Sequence, residues 1–256
     1  MENEHHRPDS DCHGEQPEQW EPFEQQEHDS QMVGLLKLAQ RLADRSDSRL
    51  RVLDLGCGNG RTLIPLAEAG YECIGMDSDS ESPSALVQAC QDAGLNADAF
   101  PSVIVHDFLT RPWPIGDQPF HLVTCLGRTL MQIHRMPDAV GLVQQIRETL
   151  VRHAQPGLFV IDDIPGELWP LVKEGSWCSG IAEDGSSQIV WDERDHLFTI
   201  RYGSAVRPGV EQLDAQDTER YRLWTMGELC LLAEVCGLDA PQVDERSGLI
   251  WFERSA

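Results

Sequence analysis

The run Val52-Leu53-Asp54-Leu55-Gly56-Cys57-Gly58-Asn59-Gly60-Arg61 carries the strongest chemical signal in the 256-residue chain. An apolar strand holding one acid breaks into three glycines at alternate positions and then enters a helical pattern. Glycine permits positive φ and lets a ligand touch the backbone where a Cβ would stand in the way. Gly56, Gly58 and Gly60 are spaced G-x-G-x-G behind Asp54, unlike the G-x-G-x-x-G turn of dinucleotide-binding folds, which makes a dinucleotide enzyme the weaker reading. One strand later, Cys73-Ile74-Gly75-Met76-Asp77-Ser78 places a carboxylate at the strand end, where it can accept hydrogen bonds from both hydroxyls of a ribose. A lone glycine loop is weak evidence, whereas this pair is strong.

The elements that must position these residues read strand, turn, helix, strand: 52–55, 62–69 and 73–76. That alternation implies parallel strands with crossover helices. Further strands are predicted over 103–105, 122–125 and 158–161, with a helix over about 137–153 that has Pro137 in its first turn and Pro156-Gly157 beyond its end. Upstream, a helix is predicted from Asp29 or Ser30, with Leu35, Leu38, Ala39 and Leu42 on one stripe. Beyond Asp163 the rhythm changes. Strands over 188–191 and 198–202, joined by the turn-rich 192–195, predict an inserted antiparallel hairpin. A helix over 226–236 then shows Leu229, Leu232, Ala233 and Cys236 on one face and stops at Gly237, and a last strand follows over 249–252.

Residues 1–28 are rich in Glu, Asp, Gln, His and Pro, so they bury too little apolar surface to offset ordering entropy and read as an acidic, disordered tail ahead of one domain over 29–256. Trp20 and Phe23 leave open a lid that folds back over a site. His5, His6, Cys12 and His13 lie in this stretch without fixed ligand spacing, and no C-x-x-C pair occurs anywhere, so no metal is expected. The formal net charge is −23, and Lys37 and Lys173 are the only lysines. A field of that sign repels phosphate backbones, which argues against nucleic acid as a partner. No apolar run approaches the roughly 20 residues that span a bilayer, and the amino terminus lacks a signal-peptide layout, so the expectation is a cytoplasmic protein without a membrane partner.

Together the glycine run and the Asp77 strand resemble motifs I and II of the class I S-adenosylmethionine-dependent methyltransferases, above all bacterial enzymes acting on small molecules. The resemblance covers roughly residues 50–163 and 218–240. It implies an α/β, Rossmann-like doubly wound fold: a mostly parallel seven-stranded sheet with a small antiparallel β cap inserted at about 164–222. It implies S-adenosylmethionine as cofactor, its methionine part over Gly56, Cys57, Gly58 and Gly60, with Asp54 orienting the turn and Asp77 and Ser78 at the ribose. His106-Asp107-Phe108 resembles the family's adenine-contacting pair, Asp107 on the exocyclic amine and Phe108 along the ring, or else is an ordinary polar strand end. Leu126-Gly127-Arg128-Thr129-Leu130 resembles a loop that often reads glycine-asparagine-serine-leucine and faces both cofactor and substrate. Arg128 departs from it. Beside a sulfonium a cation is repelled, so Arg128 is expected to turn to a carboxylate of the substrate, of Asp162 or of Asp163.

Methyl transfer from a sulfonium is an in-line displacement with an activated leaving group, so alignment and exclusion of water matter more than a universal base. A phenol or alcohol acceptor would benefit from His134, which otherwise reads as a capping or surface histidine. Trp169, Tyr202 and Tyr221, with Trp177, Trp191 and Trp224, crowd the insert and suit an acceptor amine or ring, or form the insert's own core. Asp162-Asp163 resembles the metal-dependent catechol type without its further ligands, so the site is expected to be metal-free. The reading is methyl transfer to N or O of a small-molecule acceptor. Its alternatives are a protein methyltransferase, a nucleotide-cofactor oxidoreductase and a non-catalytic cofactor-binding scaffold. Oligomeric state is not indicated.

Overall fold

Parallel strands that are apolar at nearly every position need cover on both faces, and this requirement sets the architecture. The computed structural model describes residues 25–117, 119–151, 157–162, 180–182, 184–192, 194–210 and 212–254. Trp20, Phe23, His5, His6, Cys12, His13, Asp163, Trp169 and Trp177 lie outside them.

In chain order the elements are α1 (Gln25–Ala43), β1 (Arg51–Leu55), α2 (Leu63–Glu68), β2 (Glu72–Asp77), α3 (Ser82–Asp92), β3 (Ser102–Val105), β4 (Leu122–Cys125), α4 (Met136–Thr149), β5 (Leu158–Ile161), β6 (Gly180–Ile181), β7 (Ser187–Asp192), β8 (Leu197–Tyr202), β9 (Tyr221–Arg222), α5 (Met226–Cys236), β10 (Gln242–Asp244) and β11 (Leu249–Glu253). Seven strands form one sheet in the order β10-β11-β5-β4-β1-β2-β3. From β3 to β5 the pairs are parallel, while β11 runs antiparallel to β5 and β10 antiparallel to β11. A second sheet, β6-β7-β8-β9, is antiparallel throughout.

Alternation along the strands divides the core in two. Leu53, Leu55, Val123, Cys125, Phe159 and Ile161 point to one face and pack with buried residues of α4 and α5. Val52, Leu122, Leu158 and Val160 point to the other, where Leu35, Leu38, Leu63, Leu66, Leu86 and Cys90 from α1, α2 and α3 cover them. The chain runs outward from β1 to β3 and then returns to the far side of β1 as β4. The β1/β4 boundary is therefore a topological switch point, where open α/β sheets leave a crevice at the carboxyl ends of the strands.

Three expectations need correction. The first helix begins at Gln25, so Asp29 and Ser30 lie inside it and residues 25–28 belong to the fold; Gln and Glu are good helix formers, and His28 and Gln31 find a partner in Arg61. The helix predicted over 137–153 ends at Thr149, because Leu150 takes an extended conformation (φ −70°, ψ 147°) and Val151 N–H donates to the Phe120 carbonyl at 2.9 Å. α3 and β10 carried too little apolar periodicity to be predicted, with Ser82, Leu86 and Cys90 the buried residues of α3 and β10 an exposed edge.

Gly75 sits where the glycine turn crosses β2. A Cβ there would stand 2.4 Å from Cys57 Sγ and 2.8 Å from Leu63 Cδ1. Gly75→Ala is expected to cost about 1–3 kcal/mol through overpacking, read as a lower urea midpoint with an unchanged slope. An unchanged midpoint would show that the turn yields freely.

Candidate functional site

The carboxyl end of β1 turns back on β2 through its own backbone. Gly56 N–H and Cys57 N–H both donate to the Met76 carbonyl, at 2.8 and 3.4 Å, and Gly58 N–H donates to Asp77 Oδ2 at 2.7 Å. Asp77 Oδ1 accepts from Asp79 N–H at 2.9 Å. The two sequence motifs are thus one hydrogen-bonded unit. Gly60 has φ +88°, and a Cβ there would lie 2.0 Å from Leu86 Cδ1, so this position admits no side chain. Gly58 has φ +49° and nothing within 4 Å of its Cβ position, which leaves its backbone open to a ligand.

Beneath the turn, Asp54 is fully buried and its Oδ1 accepts the Thr124 hydroxyl of β4 at 2.6 Å. Burial pushes its carboxyl up to about 7, opposed by the Thr124 hydrogen bond and Arg61 and reinforced by Asp162 and Asp77. Burial likewise pushes the Cys57 thiol up to about 12, so it stays protonated and unreactive. Asp162, at the end of β5, accepts Gly127 N–H at 2.7 Å and Arg128 N–H at 2.9 Å, one on each oxygen, and so shapes the left-handed turn after β4. Burial raises its carboxyl too, against those two hydrogen bonds.

Arg61 was not singled out in the sequence, yet it spans this region. Its Nη2 is 3.9 Å from Asp162 Oδ2, and its Nη1 donates to His28 Nδ1 at 2.9 Å and Gln31 Oε1 at 3.4 Å. Burial and the Arg61 charge hold the His28 imidazole below its ordinary range, as befits a ring nitrogen that accepts from a guanidinium. No linear spacing links residues 28, 61 and 162; the only trace was the position of Arg61 at the end of the glycine run.

The other predicted residues fall in two groups. Leu126 is buried just after β4, its carbonyl accepting the Thr129 hydroxyl at 2.6 Å. Asp107 and Phe108 follow β3 at the same end of the sheet; Asp107 Oδ1 accepts Leu109 N–H at 2.9 Å, and half-buried Phe108 packs on the main core. Ser78 is exposed beside Asp77. Arg128 (φ 55°) meets Asp162 through its backbone N–H, and its charge also opposes the upward push of burial on the Asp162 carboxyl. His134 Nε2 donates to the Arg220 carbonyl at 2.6 Å, and its own carbonyl accepts Arg222 Nη1 at 3.0 Å. Tyr221 packs with Trp191, Phe198 and Ile200 against Met131 and Leu223, and Tyr202 ends β8, opposite Ser187. Trp224 is wholly buried in the main core, its indole N–H donating to the Leu130 carbonyl at 3.0 Å.

The Asp54 carboxyl makes stability depend on pH. Its ordinary value is 3.8 and its folded value about 7, so between these the folded protein keeps a proton that the unfolded chain releases. Stability from this group is complete below the lower value and falls as pH rises towards the upper, by roughly a few kcal/mol. Asp54→Asn is expected to flatten the fall in urea midpoint between about pH 5 and about pH 8 relative to wild type. Parallel falls in the two proteins would refute the shift.

Residues 52–153 match the model of a family described as Methyltransferase domain. The ubiquinone biosynthesis O-methyltransferase of Actinobacillus pleuropneumoniae serotype 7 (strain AP76) is 25% identical over 100 residues, 39% of this chain and 41% of that protein. The 27-O-demethylrifamycin SV methyltransferase of Amycolatopsis mediterranei (strain S699) is 30% identical over 130 residues, 48% of this chain and 44% of that protein. The chain therefore spans less than half the length of these two relatives. The CcbJ methyltransferase from Streptomyces caelestis shares the fold, with a TM-score of 0.60 at 19% identity over 92% of this chain and 98% of its own. The matched segment runs through the glycine turn and the Asp77 strand into α4, and the fold is the one seen in that methyltransferase structure.

Proposed function

We propose that the chain transfers the methyl group of S-adenosylmethionine to N or O of a small-molecule acceptor, with the cofactor bound along the carboxyl ends of β2, β1 and β4. The observation that carries the reading is the Gly58–Asp77 hydrogen bond, which fixes an open glycine backbone beside a half-buried carboxylate at the switch point. The residues present fit the cofactor. Asp77 suits a ribose diol, the backbone at Gly58 has space above it, and half-buried Phe108 offers an apolar face.

Bound S-adenosylmethionine supplies a methyl group on a sulfonium, already activated for displacement. The chain's own part is to hold the donor rigidly and to bring the acceptor into line. Asp54 and Thr124 brace the glycine turn from below, and Asp162 braces the turn after β4. The cap segment, about 164–222, would position the acceptor, and its described part is seated on the loop after β4 through Phe198, which clusters with Met131 and Leu223. We assign His134 to positioning: its Nε2 proton is committed to the Arg220 carbonyl, which joins the cap's last strand to the loop after β4. Names of the two curated relatives support a small-molecule acceptor, and the net charge of −23 supports it over nucleic acid.

Calorimetric titration tests the reading. Wild type is expected to bind S-adenosylmethionine and its demethylated product in the micromolar range, and Asp77→Ala to weaken both by about tenfold or more through the lost hydrogen bonds. No binding to wild type would overturn the assignment.

A further inference from the structure

Consecutive residues at the end of the cap belong to two different cores. Leu223 is buried with Phe198 and Met131 in the core of the small sheet, whereas Trp224, the next residue, is wholly buried in the main core. Arg222, just before them, lays its guanidinium over the Trp224 ring at 4.7 Å and donates to Glu228 of α5 and to the His134 carbonyl. Residues 222–224 are therefore the stitch by which the chain passes from β9 of the cap into α5. A buried indole N–H needs an acceptor, and that of Trp224 donates to the Leu130 carbonyl at 3.0 Å.

Leu130 lies in a short 3-10 turn, Thr129–Gln132, that follows the left-handed Arg128. Met131 N–H donates to the Arg128 carbonyl at 3.1 Å and Ile133 N–H to the Leu130 carbonyl at 3.0 Å, which closes the turn. Its first residue stands against the glycine turn. A Cβ on Gly56 would lie 2.8 Å from Thr129 Cγ2 and 3.1 Å from Oγ1, so the Thr129 side chain occupies the space that the glycine leaves. The Thr129 hydroxyl donates to the Leu126 carbonyl at 2.6 Å and so holds that side chain in place. Two residues on, Met131 packs with Phe198 of the cap and with Leu223. Thr129, Leu130 and Met131 are all buried, and a packed, hydrogen-bonded turn shifts as a unit, because interiors yield by discrete rearrangement and not by smooth deformation.

We propose that Trp224 is a positioning residue that couples the acceptor cap to the donor site: Thr129 passes occupancy of the glycine turn along the 3-10 turn to the Leu130 carbonyl and Met131, and Trp224 and Leu223 pass it on to order β8 and β9. This inference rests on the proposed methyl transfer and deepens it, since it makes donor and acceptor bind at a linked pair of sites. Linkage is reciprocal, so an acceptor seated on the cap tightens the cofactor by the same factor. His134 and Arg222 meet the loop beyond this turn, at residue 134, whereas Trp224 reaches the turn itself.

The test is amide hydrogen exchange of the full chain, read over β8 and β9 with and without saturating S-adenosylhomocysteine, the demethylated product. In wild type the product is expected to slow exchange there by about fivefold or more. Trp224→Phe keeps an aromatic ring and removes the N–H, while the Leu130 carbonyl retains the Ile133 N–H. It is expected to leave calorimetric affinity for the product within about threefold and to cut the slowing to less than about twofold. Thr129→Ser keeps the hydroxyl, removes the methyl that stands against Gly56, and should cut the slowing from the other end of the turn. Leu232→Ala, a deletion in the same core as Trp224, is the control: it should lower the urea midpoint and keep the slowing, which separates coupling from lost packing. Product that binds wild type without slowing exchange in the cap would overturn the coupling alone. So would wild-type slowing in both Trp224→Phe and Thr129→Ser, or its loss in all three variants, which would show general loosening. Should Trp224→Phe fail to fold, Thr129→Ser decides. Wild type that binds no product would overturn the inference together with the methyl-transfer reading, and no variant is needed to see it.

Discussion

The backbone N–H groups of Gly56, Cys57 and Gly58 all donate to the end of β2, two to the Met76 carbonyl and one to the Asp77 carboxylate. This docking is the constraint on which the rest depends. It consumes donors that a turn at the head of a short helix would leave orphaned, and it fixes the register between the glycine run and the acidic strand end. Because β1 and β2 are parallel neighbours, their carboxyl ends lie side by side without further arrangement. Only a turn that doubles back on β2 can bring the glycine backbone to the carboxylate, and the positive φ of Gly58 and Gly60 allows that path.

Buried polar groups then propagate the order outward. Asp54 ties β1 to β4 through Thr124, Asp162 ties β5 to the turn after β4, and Arg61 ties the glycine turn to α1. Each buried carboxylate has a partner, as desolvation requires. The consequence is a rim in which five separate stretches of chain, α1, the β1 turn, the β2 end, the β4 turn and the β5 end, share one set of contacts. Rigidity at this rim suits the in-line displacement proposed above, whose rate depends on alignment more than on proton transfer.

The small sheet is organised by different means. Opposed residues Trp191 and Phe198, with Tyr221, form the aromatic face that meets Met131 and Leu223. Its other face is closed by a buried Arg201–Asp217 pair at 2.7 Å, and the Arg201 hydrogen bonds hold Asp217 down at about 2. Arg201 also donates to Gln188 and the Val210 carbonyl, and Arg207 bridges Asp214 and Asp217. Several arginines of an almost lysine-free chain are thus used inside the cap. Attachment to the main sheet runs through Arg222, which donates to the His134 carbonyl and to Glu228, the residue that completes the capping box of α5 with Thr225.

The sequence by itself determined the parallel core and the motif pair, because both are written in local terms. Strand runs at β1, β4 and β5 are mostly apolar, glycines punctuate them, and the α5 stripe from Leu229 to Cys236 stops at Gly237 as a left-handed cap demands. The weakly patterned α3 and β10 escaped notice because burial of a few residues leaves little periodicity to read. Only the tertiary structure decided what the isolated polar residues do. His134 carries no mark in the sequence that tells a base from a strut, and its role follows from Arg220 being brought beside it from 86 residues away. Arg61, His28 and Asp162 meet for the same reason. A polar side chain takes its chemistry from the partners that desolvate and charge it, and those partners are chosen by the fold, whereas apolar periodicity is a property that neighbours along the chain already possess.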